Sequence, residues 1–451
     1  MDSRELPEPG PEHRIRFENE FVAQRESQTD WAAYLRIENL LAAELASKVL
    51  SDRESGNPVD RYSPGSLTSP DSFDGNWNRS YELAAPEAIG VAVLLHGLTD
   101  SPYSLLSTAE SLAGAGYNVV VPRMPGHGYA VGGLRQARAE DWMAAVRIAV
   151  AHAADLPAAE KSLIIAGYSN GGLLALDYAL HCANRKMRCP DKLVLVSPAI
   201  SVSRYAGLAN VHAAISWLPW FEKYAWLSIL PEVDPFKFTS FPKRAGWEIR
   251  KVSRRVVALL EDPEHARALP PILSFQSVVD STVGSTAVKE MLYDRLSANG
   301  SRLVVYDVNR HSAAASLMRD IPPDVIDLLA AGAPLNYDLV VLRNRNEKSL
   351  DVILASLSAG STALRESPTG LRWPRDLYSL SHIALPFRPD DAVYGDGSFG
   401  SSSKTRVVLG AMSPRGENGV LTLPPAWFLR ARYNPFHRFQ SQQMIQWLAD
   451  E

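Results

Sequence analysis

The stretch "LIIAGYSNGGLLALDYAL", Leu163 to Leu180, passes straight from an apolar run into a helical pattern through Gly-Tyr-Ser-Asn-Gly. Leu163, Ile164 and Ile165 suit a buried strand, and "GLLALDYAL" suits a helix buried over most of its surface. The chain must turn sharply between them, and such a turn tolerates little bulk at its flanks. Gly167 and Gly171 meet that need because glycine has no Cβ to collide with strand or helix. Ser169 then sits at the apex with its hydroxyl directed outward.

From Ile89 onward, strand and helix alternate. Strands read as "GVAVLLHG", "YNVVVPR", "SLIIAGYS", "KLVLVSPA" and "PILSFQSVVD". Helices read as "SLLSTAESLAGAG", "AEDWMAAVRIAVAHAAD", the segment after Ser169, and "STAVKEMLYDRLSANG". Fully apolar strands separated by helices imply an α/β fold with a mostly parallel sheet covered on both faces. Residues 1–85 read as a separate helical and irregular extension, with "WAAYLRIENLLAAELASKVL" followed by a Pro/Gly/Ser-rich stretch. The main domain is then 86–451. Residues 201–269 hold no convincing strand and read as a helical cap inserted between sheet strands. A further insertion spans about 310–372, with one strand-like run, "YDLVVLRNR", and a helix-like "LDVILASLSAG". "GDGSFG" matches G-x-G-x-x-G but neither follows a strand nor opens a helix, so it is no dinucleotide site.

At 451 residues, with 46 basic against 50 acidic side chains and no long basic run, nucleic acid and anionic membranes are unsuited as main partners. No apolar run approaches the ~18 residues of a membrane span, and the N-terminus is unlike a signal peptide, so the chain reads as cytoplasmic. The two cysteines, Cys182 and Cys189, form no C-x-x-C pattern and have no nearby histidine pair for zinc. A small bridge would need an oxidising compartment, and free thiols are the expectation.

Gly-Tyr-Ser-Asn-Gly has the G-x-S-x-G form of a nucleophile elbow. Acyl transfer needs N–H donors aimed at the developing oxyanion. The amide of Asn170, after the serine, supplies one, and that of Leu98, after "LLHG", the second. His96, in that loop, suits a structural hydrogen-bonding role better than that of a base. "LLHGLTDSPYSL", "VPRMPGHG" and "IIAGYSNGG", in this order and spacing, closely resemble the α/β-hydrolase family, nearest its bacterial carboxylesterases and monoacylglycerol lipases. The resemblance is specific over about residues 89–200, plausible to 285, weak across the two insertions, and resumes near 373.

The resemblance implies an acid at Asp280, closing the strand "PILSFQSVVD". Two histidines compete for the base. His311 has the spacing from Asp280 usual in compact members, whereas His382, in "SLSHIALPF", has the local context of the family's catalytic histidine. His382 is preferred. His127, in "PGHG", shapes the site rather than transferring protons.

The expected activity is hydrolysis of carboxylic esters by Ser169, His382 and Asp280 through an acyl-enzyme, with no metal or organic cofactor. Trp217, Trp220, Phe221, Tyr224 and Trp226 suggest a cap with an apolar inner face over a small ester substrate, although most of these rings would pack the cap onto the sheet. A peptidase or thioesterase of the same fold, and an inactive binding module, remain open.

Overall fold

The alternation is realised as sheet strands flanked by helices. The computed structural model describes residues 6–51, 53, 56–201, 219–279, 285–308, 334–374, 377, 379–397, 411–412 and 430–450. Of the described residues, those up to Cys189 and those from Pro219 to Arg255 belong to one compact unit, and those from Pro190 to Ser201 and from Val256 onward belong to another.

In the first unit, β1 (Tyr81–Leu83), β2 (Gly90–Leu95), β3 (Tyr117–Val121) and β4 (Leu163–Tyr168) lie in the order β1-β3-β2-β4. β2 pairs in parallel with β3 and β4, and β1 pairs antiparallel with β3. Every residue of β2 and β4 is buried, which explains their unbroken apolar character. Helices α1 (Trp31–Leu45), α2 (Leu106–Gly114), α3 (Ala139–Ala154) and α4 (Asn170–His181) accompany the strands. Asp30 starts α1 by accepting the Ala33 N–H at 2.7 Å.

The segment before residue 86 packs tightly in this unit. Arg123, fully buried after β3, donates to both Glu20 oxygens at 2.8 and 3.1 Å and lies 3.4 Å from the buried Glu38. Tyr34 Oη donates to the Arg123 carbonyl, and Gly126 N–H donates to Glu20. Burial raises the pKa of Glu38, opposed by Arg123 and by hydrogen bonds from Ser80. The polar look of this segment therefore conceals a buried charge network around the loop after β3.

Within 201–269 the described residues include a helix, α5 (Lys243–Leu260), and, contrary to the all-helical expectation, a short antiparallel pairing of Trp226–Ser228 with Phe241–Pro242. Cys182 and Cys189 are bonded as a disulfide, which corrects the expectation of free thiols. The helix-to-loop turn brings their Cα atoms to 5.3 Å, within bridging range, a proximity that spacing alone did not reveal.

The second unit carries β5 (Lys192–Val196), β6 (Ile272–Ser277), β7 (Arg302–Asp307), β8 (Asp338–Asn344), β9 (Asp351–Leu357) and β10 (Arg365–Arg372). The first four run parallel in that order, and β9 and β10 add antiparallel. The helix-like "LDVILASLSAG" is thus a strand. Its residues Ile353, Ala355 and Leu357 are buried on alternate positions, and the hairpin with β8 satisfies its backbone. A helix near the C-terminus, α6 (His437–Ala449), matches the expectation from "FQSQQMIQWLAD".

Candidate active site

At the end of β4 the chain turns through Ser169 at φ 53°, ψ −113°, and enters α4 at Asn170. A positive φ is strained for a non-glycine residue, and such strain persists only where its surroundings enforce it. The two glycines show how they do so. A Cβ on Gly167 would stand 2.5 Å from Gly172 N and nearer still to Gly171 O. One on Gly171 would stand 2.8 Å from His96 O, with Leu95 O and C closer. Helix α4 therefore rests against the end of β2 with no room for a methyl group. Ser169 stays partly exposed while its neighbours Tyr168 and Asn170 are buried. The Asn170 N–H is the first of the unpaired donors that open α4.

The loop after β2 holds Gly97, Leu98 and Thr99, the last at φ 68°. His96 fixes it from behind. Its Nε2 accepts the Met124 N–H at 2.9 Å, and its Nδ1–H donates to Gly97 O at 2.9 Å. Burial, with the Arg123 and Lys237 charges and against the Gly97 hydrogen bond, takes its pKa down to about 3. A neutral ring with both nitrogens engaged is a strut, not a base. His127 packs edge-on to it at 5.0 Å, and burial and His96 hold its pKa well below the usual histidine range.

The same loop is tied to the cap segment. Lys237 Nζ donates to the buried Asp100 at 2.8 Å, and Phe238 N–H donates to Thr99 O at 2.8 Å. Tyr103 and Phe236 stack at 4.0 Å. Sequence reasoning missed this anchorage, whose one local signal was an acidic residue in "HGLTDSP" paired with a basic one in "PFKF".

Leu98 packs against a cluster formed by Leu6, Val131, Leu134, Trp226, Ile229 and Phe238. Trp226 is wholly buried, with His13 edge-on at 5.0 Å, so it packs the cap segment rather than lining an open surface. Tyr224 is half-buried. Trp220 and Phe221 lie in a 3₁₀ turn, Pro219–Ala225, and their side chains fall outside the described residues. Trp217, Asp280 and His311 also lie outside them.

In the second unit, His382 opens a 3₁₀ turn and is partly exposed. Its loop is bound to the end of β6 by Ser277 Oγ donating to Leu380 O, three residues before Asp280. Gln440 of α6 donates to Leu385 O at 3.1 Å and holds the far side of the turn. Among the described residues no group of His, Cys, Asp and Glu is arranged to hold a metal ion. No described helix is long and apolar enough to cross a membrane.

The family model described as serine aminopeptidase, S33, matches residues 86–315, just over half of the chain. The chain belongs to the serine aminopeptidase S33 family of α/β-hydrolases. A thermostable monoacylglycerol lipase of Bacillus sp. (strain H-257) is 32% identical to this S33 hydrolase over 119 residues, 26% of the chain and 46% of that lipase. The chain thus spans less than half the length of this relative.

Solved structures are similar at lower identity. A chain from a structure described as "LipS and LipT, two metagenome-derived lipolytic enzymes" aligns at 22% identity and a TM-score of 0.41, covering 51% of this chain and 87% of that one. A monoacylglycerol lipase of Paleococcus ferrophilus aligns at 21% and 0.37, covering 48% and 83%. The family accounts for the fold class. The first 85 residues fall outside the family match.

Proposed function

We propose that the chain hydrolyses carboxylic esters of short to medium acyl chains through an acyl-enzyme on Ser169. The observation that carries this reading is the strained backbone at Ser169, enforced by two glycines at which a methyl group would clash with backbone. Such a turn presents a hydroxyl for attack and opens a helix whose first N–H groups can receive an oxyanion. In this reading His382 takes the serine proton, Asp280 orients the imidazole, and the amides of Leu98 and Asn170 hold the tetrahedral oxyanion. The tethering of the His382 loop to the end of β6 supports His382 over His311, because it draws that loop toward the strand that leads to Asp280.

Ser169→Ala should lower kcat for p-nitrophenyl esters by roughly 10³-fold or more and abolish labelling by a fluorophosphonate, with the fold unchanged. A folded variant that kept most of its activity would sink the proposal. His382→Ala should fall to a similar residual rate and His311→Ala should not; the reverse order would move the base to His311. The 201–269 segment suits a closed pocket, so soluble esters should turn over faster than long-chain triacylglycerol emulsions. The family's aminopeptidase description favours one second reading, a peptidase. Faster cleavage of aminoacyl p-nitroanilides than of p-nitrophenyl esters would establish it instead.

A further inference from the structure

Four arginines converge where no substrate chemistry has been assigned. Arg16, Arg135, Arg138 and Arg244, with Gln136 and Ala225, line a cavity of ≈ 330 Å³ in the first unit. They come from three stretches of chain: the N-terminal segment, the turn and helix start that follow the loop after β3, and the cap segment with its helix α5. Like charges gathered in one concavity repel, so the arrangement calls for a counter-charge.

Of the carboxylates around it, Glu248 pairs with Arg244 and the others are engaged elsewhere. Glu222 accepts from Arg14 at 2.8 Å. Glu248 accepts the Ala139 N–H at 3.1 Å and lies 3.5 Å from Lys251, as far as it lies from Arg244. Glu140 pairs with Lys251 at 2.6 Å, and Asp141 accepts the backbone N–H groups of Ala23 and Arg138. Among the described residues the Arg16 and Arg138 side chains have no ion-pair partner, and neither does that of Arg135, which donates to the His13 carbonyl at 3.3 Å and lies over the Trp226 ring. Burial, then the charge of Arg16, lowers the pKa of Arg135, opposed by Glu222. The positive charge is therefore in surplus, in a chain whose net charge is −4.

We propose that this arginine-lined cavity is a binding site for a phosphate group, carried by a small phosphorylated molecule or by a lipid headgroup. The chemistry selects the class. Each guanidinium offers five N–H donors in a planar fork that matches phosphate oxygens bidentately. A phosphate monoester brings about two negative charges and three terminal oxygens, enough to engage several forks at once, whereas a lone carboxylate satisfies one. Occupancy would join the N-terminal segment, the turn after the β3 loop and the cap segment through a single anion.

The test is independent of catalysis. Inorganic phosphate is titrated into the full chain at constant ionic strength, with tryptophan fluorescence and melting temperature as readouts and sodium chloride as the control. A second arm measures sedimentation with phosphatidylcholine vesicles containing phosphatidic acid. Saturable binding in either arm is expected, weakened roughly tenfold or more in Arg16→Ala and Arg138→Ala and abolished in Arg16→Glu. Both arginines are exposed, so these variants should keep the parent circular dichroism and esterase rate. Binding in the first arm identifies a small ligand, and binding in the second alone a headgroup. Responses equal to those of chloride in both arms, or unchanged in folded arginine variants, would overturn the proposal.

Discussion

Replacing Gly171 by alanine should be among the most damaging single-methyl changes available to this chain. A Cβ there would stand 2.8 Å from His96 O and closer to Leu95 O, and both neighbours are backbone, so no side chain can rotate away. Carbon–oxygen contacts settle near 3.5 Å, so relief even at His96 requires a shift of roughly 0.7 Å, and more at Leu95. Either α4 lifts from the end of β2 or the elbow unwinds. Overpacking of this kind costs about 3 kcal/mol or more, a large share of a typical stability. The Asn170 N–H moves with the helix, and a displacement of about 1 Å at a reacting centre can cost roughly 10²-fold in rate. Gly114→Ala is the matched control: Gly114 ends α2 in an exposed position with nothing within 4 Å of a built Cβ. The same methyl there should be neutral or stabilise by roughly 0.5 kcal/mol, through helix propensity. Urea unfolding and p-nitrophenyl ester kinetics on both variants would decide. A Gly171→Ala chain with the parent's midpoint and kcat, or equal damage from Gly114→Ala, would refute the close-approach argument.

Acid should destabilise the fold in a window set by His96. Its folded pKa is depressed from 6.5 to about 3, so its neutral burial contributes fully above pH 6.5 and is lost as pH falls toward 3, costing about 2 kcal/mol by pH 5. Urea midpoints at pH 7 and pH 5 should show this slope, reduced in His96→Gln; an unchanged slope in that variant would contradict it. Lys237→Met leaves the buried Asp100 carboxylate unpaired and should cost about 3 kcal/mol while lowering kcat, measured by thermal unfolding and ester hydrolysis. Loss of the Cys182–Cys189 bridge in a Cys182→Ser, Cys189→Ser chain should cost roughly 2 kcal/mol, since the loop it closes is short, and an unchanged melting temperature would argue against its forming in solution.

Much of the fold class was legible because buried parallel strands must be apolar throughout and because a strand-to-helix turn of this sharpness admits only glycine two residues to either side of its apex. Both are local demands, written within a dozen residues, so β2 to β4, α4 and the strained Ser169 follow from "VAVLLHG", "YNVVVPR" and "LIIAGYSNGG" alone. Other features needed partners distant in sequence. "LDVILASLSAG" carries enough Leu, Ala and Ser to read as a helix, and only the neighbouring edge of β8 makes it a strand. Glu20 and Glu38 look like surface acids until Arg123, about a hundred residues further along the chain and beyond the reach of any local pattern, is folded against them. Trp226 reads as a candidate substrate contact and proves to be cap core because His13 and Leu134 close over it. The disulfide, the Asp100–Lys237 anchor and the four converging arginines share the same reason. A side chain's charge and size are written in the sequence, but which desolvated neighbour it meets is decided only when segments far apart in the chain are packed together.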